Sequence, residues 1–134
     1  MSSNLERTIN AVNEWNRQDL ESYRTLYAPQ ATLHGLAPVP IGVDGALEGY
    51  RAFFAGFPDI HIHIMDSVSD EDRGALRIRL TGTHTGNFQG IPATGRTINV
   101  GGLTILKFQD GKVIERWNQL DQMGLMQQLG VIPV

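Results

Sequence analysis

The feature that most constrains this chain is a pair of long alternating segments, residues 97–108 and 112–121, that meet at Asp110-Gly111. Asp-Gly tolerates the positive φ angles of a tight two-residue turn, so the segments are expected to fold back on one another as an antiparallel hairpin. With Asp110 and Gly111 in the loop, Gln109 faces Lys112 and Phe108 faces Val113. Counting outward, Leu106 faces Glu115, Thr104 faces Trp117, Gly102 faces Gln119 and Val100 faces Asp121. Strand side chains alternate between faces. One face is then expected to carry Phe108, Leu106, Thr104, Val113, Glu115, Trp117, Gln119 and Asp121. The other carries Leu103, Ile105, Ile114 and Leu120 with Lys107, Arg116 and Asn118. Both faces are rich in apolar side chains. One small domain has too few helices to cover both, so the face with Leu103, Ile105, Ile114 and Leu120 is expected to be buried in a homodimer or higher homo-oligomer.

The segments before the hairpin set the rest of the architecture. Ser3 and Glu6 stand at capping-box spacing ahead of Leu5, Ile9, Val12 and Trp15, which recur at helical steps. Asp19 can cap a second, short helix with Leu20, Tyr23, Leu26 and Tyr27, ended by Pro29. A short strand over residues 31–35 and a Gly/Pro-rich loop through Gly42 come next. Leu47, Tyr50, Phe53, Phe54 and Phe57 mark a third helix, stopped by Pro58. Ile60, Ile62 and Ile64 alternate with His61, His63 and Met65, and Leu76, Ile78 and Leu80 alternate with Arg77, Arg79 and Thr81, giving two more strands. A last helix, Gln122–Leu129, stops at Gly130. Helices gathered on one side of a mainly antiparallel sheet form an α+β fold. The 134 residues form one domain over 1–134, without linker or repeat.

Composition removes whole classes of function. With no cysteine there is no disulfide, thiolate catalysis or Cys-based zinc site. Net charge is −3 and no Lys/Arg run exists, so no nucleic-acid partner is expected. No apolar run approaches a membrane span and no signal segment is legible, so the expectation is a cytoplasmic protein without a membrane partner. His61 and His63 share a strand face, but no third ligand follows at recognisable spacing, so no metal is expected. GIPATGRT at 90–97 imitates a phosphate loop, yet strands are expected on both sides where the motif needs a following helix, so nucleotide binding is not expected.

Four segments in order carry a family resemblance: His34 after the first strand, FPDI at 57–60, GTHTGNFQGIPATGR at 82–96 and FQDGKVIERWNQLDQMGLMQQLG at 108–130. They resemble the SnoaL-like polyketide cyclases (ester cyclases), within the nuclear transport factor 2-like or ketosteroid isomerase-like superfamily. The resemblance implies a curved sheet wrapped by the N-terminal helices into a half-open cone, a cystatin-like or SnoaL-like α+β barrel. It implies an apolar pocket at one end and a base-type Asp at the end of the last strand, matching Asp121. It also implies intramolecular aldol ring closure on a polyketide ester with no cofactor. This chain departs from the pattern on the strand before the hairpin, where the expected inward face reads Val100, Gly102, Thr104 and Leu106 rather than carrying His.

Asp121 has two readings. It stands just before the last helix and can cap it. In an apolar wall, desolvation would instead raise its pKa and make it a general base. His34 and His84 are candidate hydrogen-bond donors to a substrate oxyanion, and His84 shares inward parity with Leu76, Ile78 and Leu80. Trp15, Tyr27, Tyr50, Phe54, Phe88, Thr104, Trp117 and Gln119 are the expected pocket wall, although most aromatic residues of this kind are core. The function expected from these residues and the resemblance is proton abstraction from a small hydrophobic carbonyl compound. Polyketide-type aldol cyclisation comes first, and isomerisation or hydration on the same scaffold second. A non-catalytic carrier or sensor of a small apolar ligand is the rival.

Overall fold

The computed structural model describes residues 3–134. Helix α1 (Asn4–Asn16) starts where expected: the Ser3 side chain accepts from the backbone N–H of Glu6. Asp19 caps the short α2 (Leu20–Tyr23) by accepting from the N–H of Ser22. One 3-10 turn, Arg24–Leu26, follows, and strand β1 (Tyr27–His34) begins at once. The expected helix through Tyr27 and the strand over 31–35 are thus corrected. Tyr27 already lies in the strand, and Pro29 sits within it, where the register shifts between Tyr27 and Thr32. β1 is at the edge of the sheet, where a missing N–H is tolerated. After α3 (Val43–Gly56) come β2 (His61–Ser69), β3 (Arg73–Thr83), β4 (Thr97–Gln109), β5 (Lys112–Leu120) and α4 (Gln122–Leu129). α4 ends on Gly130 in the left-handed conformation.

The five strands form one curved, unclosed sheet in the order β1-β5-β4-β3-β2. All pairs are antiparallel except β1 with β5. The concave side is filled from the helices by Ala11, Trp15, Leu47, Tyr50 and Leu125, and from the sheet by Leu33, Leu80, Val100, Leu106 and Val113, all buried. α1 is fastened to the free edge of the sheet by amides. Asn16 Oδ1 accepts from Ile62 N–H at 2.8 Å and its Nδ2 donates to Ile62 C=O at 3.0 Å. Asn4 Nδ2 donates to the carbonyl of Glu71 at 3.0 Å. The FPDI segment has a local task too, because Asp59 Oδ1 accepts from Thr83 N–H at 2.7 Å and holds the end of β3.

The hairpin corrects the expected register. Gln109 pairs with Lys112 and Phe108 with Val113, but Lys107 then pairs with Glu115. Ile114 is therefore an extra residue in β5, a bulge. From there each partner moves by one: Leu106 with Arg116, Ile105 with Trp117, Thr104 with Asn118, Leu103 with Gln119 and Gly102 with Leu120. A one-residue slip exchanges the faces of a strand. Arg116, Asn118 and Leu120 thus share the concave side with Thr104 and Leu106. Glu115, Trp117 and Gln119 share the convex side with Leu103 and Ile105. Of the four apolar residues expected on the outer face, Leu103 and Ile105 are there and exposed. Leu120 packs against the core instead, and Ile114 is half-buried at the bulge. Among the described residues, no helix is long and apolar enough to cross a membrane.

Candidate functional site

The bulge brings a polar cluster into the concave side. Arg116 Nη1 donates to the phenol oxygens of Tyr23 at 2.8 Å and Tyr27 at 2.7 Å. Its Nη2 reaches Asn118 Oδ1 at 3.2 Å and Thr104 Oγ1 at 3.4 Å, and the Thr104 hydroxyl donates to Asn118 Oδ1 at 2.7 Å. The Tyr23 and Tyr27 hydroxyls are 2.7 Å apart, and Tyr23 is 3.4 Å from the Tyr50 hydroxyl. Arg116 Nε is sealed from solvent and has no acceptor. No carboxylate bonds to this guanidinium among the described residues. Arg116 is half-buried as a residue, and a charge drawn out of water is normally paired, so a guanidinium held by neutral oxygens alone marks the site.

The cluster borders a cavity of about 40 Å³. Thr8, Val12 and Trp15 of α1 close it on one side, and Ile62, Leu76, Thr104 and Arg116 of the sheet on the other, with Tyr23 and Tyr50 beside them. None of its lining residues is Asp, Glu or His. The indole Nε1–H of Trp15, itself a lining residue, is buried without an acceptor.

Burial pushes the Tyr50 phenol up to about 12 and raises that of Tyr23 well above its ordinary value. Both are neutral donors at physiological pH. Burial also opposes the charge on Arg116, but the phenol oxygens around it outweigh that and hold it above the ordinary arginine value. The raised phenol has a consequence for stability. An unfolded tyrosine ionises near 10, whereas folded Tyr50 waits until about 12. Its contribution is present below pH 10 and lost as pH rises through 12. Thermal melts across that window should show a steep fall in Tm, shallower in Tyr50→Phe.

The other expected site residues are distributed differently. Trp15, Tyr50 and Thr104 line the cavity, and Tyr27 holds Arg116. Phe54 packs edge-on against Trp15 at 4.9 Å, behind the cavity wall. Phe88 is core, packed on Phe53 and Phe57. Trp117 and Gln119, expected inside, are on the convex face because of the bulge. His34 is there too: its Nε2 bonds Glu115 Oε2 at 2.7 Å and its ring stacks on Trp117 at 5.5 Å. His84 is fully buried as its parity predicts, stacked on Phe57. Its Nδ1 accepts from Thr94 N–H at 3.2 Å, which leaves the proton on Nε2, and that nitrogen has no partner. It is not among the cavity lining. His61 and His63 lie side by side with ring centroids 4.6 Å apart, and no third His, Asp or Glu joins them among the described residues.

Asp121 is exposed, and its expected inward orientation is corrected by the same register. Its Oδ1 accepts from Gly124 N–H at 2.8 Å, capping α4. A Cβ at Gly124 would stand 2.2 Å from the carboxylate, so a side chain there would make the Asp121 carboxylate shift. Asp121→Asn is expected to cost at most about 1 kcal/mol, because Asn caps nearly as well. A drop in turnover of about 10²-fold or more would give Asp121 the role of base.

Arg116 and Asn118 were legible only as outward polar residues. The signal for their true placement is a parity conflict: Val113 and Leu120 are both apolar ends of one strand, and both can face the core only across an odd residue.

A curved open sheet, closed by helices over a small cavity with a polar cluster in its wall, defines a pocket protein of the cone-shaped α+β class. The chain belongs to the SnoaL-like polyketide cyclase family, whose model matches residues 6–129. That membership supports a cyclase or isomerase role. Among curated proteins it is similar to the aklanonic acid methyl ester cyclase DnrD of Streptomyces peucetius, 30% identical over 69 residues. The match to DauD of Streptomyces sp. (strain C5), of the same name, is also 30% over 69 residues. These matches take in 49% of this chain and only 48% and 43% of the relatives' lengths. Among solved structures, AclR of Streptomyces galilaeus, a candidate hydroxylase, superposes with TM-score 0.90 at 28% identity. That match covers 98% of this chain and 83% of AclR. IdmH of Streptomyces antibioticus, a candidate polyketide cyclase, gives 0.86 at 29% identity, covering 96% and 99%.

Proposed function

We propose that the protein is an enzyme that binds a hydrophobic carbonyl compound and stabilises its enolate, in the sense of a cyclase or isomerase, with Arg116 as the oxyanion-binding residue. The observation that carries this reading is the guanidinium held by neutral oxygens, without a carboxylate, beside a cavity. Donors fixed in advance where negative charge develops in a dry site are the largest common source of rate enhancement. Tyr23, Tyr27, Thr104 and Asn118 hold Arg116 in place, and Tyr50 completes the phenol chain. An intramolecular aldol closure turns one C–H and one C=O into a C–C bond and an O–H, so it balances without an oxidant or reductant. The curated relatives are named as aklanonic acid methyl ester cyclases, which supports a cyclisation. A polyketide-sized ligand needs a pocket of roughly 300 Å³ or more, so α1 must move off the sheet to admit one. The test is product analysis with polyketide methyl esters and simpler enolisable ketones. Ring closure or isomerisation that depends on Arg116 supports the reading. Arg116-dependent binding without turnover would favour the carrier instead.

On the same reading the molecule works as a homodimer through its convex sheet face. Val68 of β2 and Leu103 and Ile105 of β4 stand there 69%, 57% and 45% exposed, with β3 between the two strands. Sedimentation equilibrium at micromolar concentration should give a dimer, and Leu103→Glu with Ile105→Glu a monomer. A monomeric wild-type chain would end this proposal.

A further inference from the structure

Resting on the enolate-binding reading, we propose that the ligand enters already carrying a delocalised oxygen anion, a carboxylate or an ionised β-dicarbonyl, seated on Arg116 and Trp15. The chemistry of the cavity wall is one-sided. Trp15 Nε1–H and Arg116 Nε–H are both buried without an acceptor, and both residues line the same space. The phenols add another donor where their chain ends on Tyr50, which lines the cavity as Tyr27 does not. Arg116 donates to Tyr23 and Tyr27, so their protons run on through the Tyr23–Tyr27 and Tyr23–Tyr50 contacts. Such a chain has one O–H left over at its end. Against these donors there is no Asp, Glu or His in the lining to serve as a proton acceptor. A site that had to create the anion would need a base. A site that receives the anion needs only what is present: a positive charge and unspent N–H groups.

The size of the space agrees. A cavity of about 40 Å³ accepts roughly two or three water-sized groups, the dimensions of a carboxylate head. The body of the ligand must then extend between α1 and the sheet, past Val12 and Ile62, both on the cavity lining. A neutral ester would leave the guanidinium without a counter-charge, whereas an oxygen anion converts the same contacts into charge-assisted hydrogen bonds.

The experiment compares phenylacetate, dimedone in its ionised form and neutral phenylacetamide by calorimetry. It also follows the Arg116 Nε–H resonance in proton–nitrogen NMR. Wild type should bind at least one anion about tenfold or more tighter than the amide, with a shift of that resonance. Arg116→Met should lose the preference. If that variant does not fold, Trp15→Phe serves, since it keeps an aromatic ring and removes one donor. It should weaken the anion severalfold and leave the amide unchanged. Binding of phenylacetate alone assigns a carboxylate ligand, and binding of dimedone alone an ionised enol. Amide and anions bound equally, still through Arg116, would overturn the anionic ligand and leave the enolate reading standing. Affinities indifferent to Arg116, or no binding of either anion, would remove the anionic ligand, and the first would remove the enolate reading with it.

Discussion

Arg116→Met is expected to lower turnover by about 10²–10³-fold, the usual effect of deleting one oxyanion donor, while the chain stays folded. Methionine fills much of the arginine's volume and takes an uncompensated charge out of the interior. Replacing buried ionic groups with apolar ones of similar size is often neutral for stability. The opposing cost lies in the partners left behind. Tyr23, Tyr27, Thr104 and Asn118 each lose a hydrogen bond, although Thr104 and Asn118 keep one another and Tyr23 keeps Tyr27. Tm should therefore move little compared with the rate. Arg116→Lys is the informative companion. It keeps the charge but cannot hold two phenols and the Thr104–Asn118 pair at once, because an ammonium lacks the planar fork. It should recover only part of the activity. If both variants turn substrate over like wild type, the cluster is structural and the enolate site lies elsewhere.

Gly35→Ala is expected to destabilise the fold by at least about 3 kcal/mol, or to prevent folding. Gly35 has φ +86°, and a Cβ built on it would stand 1.9 Å from the backbone carbonyl oxygen of Asn118. The left-handed conformation alone costs a non-glycine residue roughly 1–2 kcal/mol. The collision adds more, because a strand carbonyl cannot rotate away as a side chain can. β1 would have to retreat from β5 just where Leu33 pairs with Arg116 and His34 with Trp117. Activity should fall with stability, since the same displacement moves Arg116 and Asn118. Gly90→Ala is the control. It has φ +80° and nothing within 4 Å of its Cβ, so it should show the conformational cost alone, roughly 1–2 kcal/mol. Equal effects at the two positions would mean that β1 is free to shift.

Much of the fold was readable from local chemistry. Ser3 and Asp19 cap the helices they were expected to cap, and Gly130 ends the last one. The turn at Asp110-Gly111 and the alternation in β3 and β4 follow from period and turn type alone, whereas β2 begins only at His61 and its register shifts between Ile64 and Asp66. The candidate site was less legible for one physical reason. A bulge at Ile114 has no signature at the residue itself, because a β-branched residue suits a regular strand as well as an irregular one, and only the parity conflict between Val113 and Leu120 reports it. Without it, Asp121 and Trp117 count inward and Arg116 outward. With it, each count reverses. The parallel pairing of β1 with β5 was equally hidden, since no turn joins them and no periodicity reports which distant strand is a neighbour. Tyr27, on that strand, was expected in the pocket wall, yet its bond to Arg116 could not be read.

The amide that ties α1 to Ile62 bears on how these molecules behave in a crowd. β2 is an outermost strand, and a bare outer strand is a template on which another chain can grow. Asn16 makes both hydrogen bonds, one accepted and one donated, that an adjoining backbone would make at Ile62. A single side chain thus impersonates a neighbouring strand and then stops, offering nothing further to extend. Replacing it with alanine would reopen that rung, and concentrated Asn16→Ala should precipitate sooner than its change in Tm accounts for.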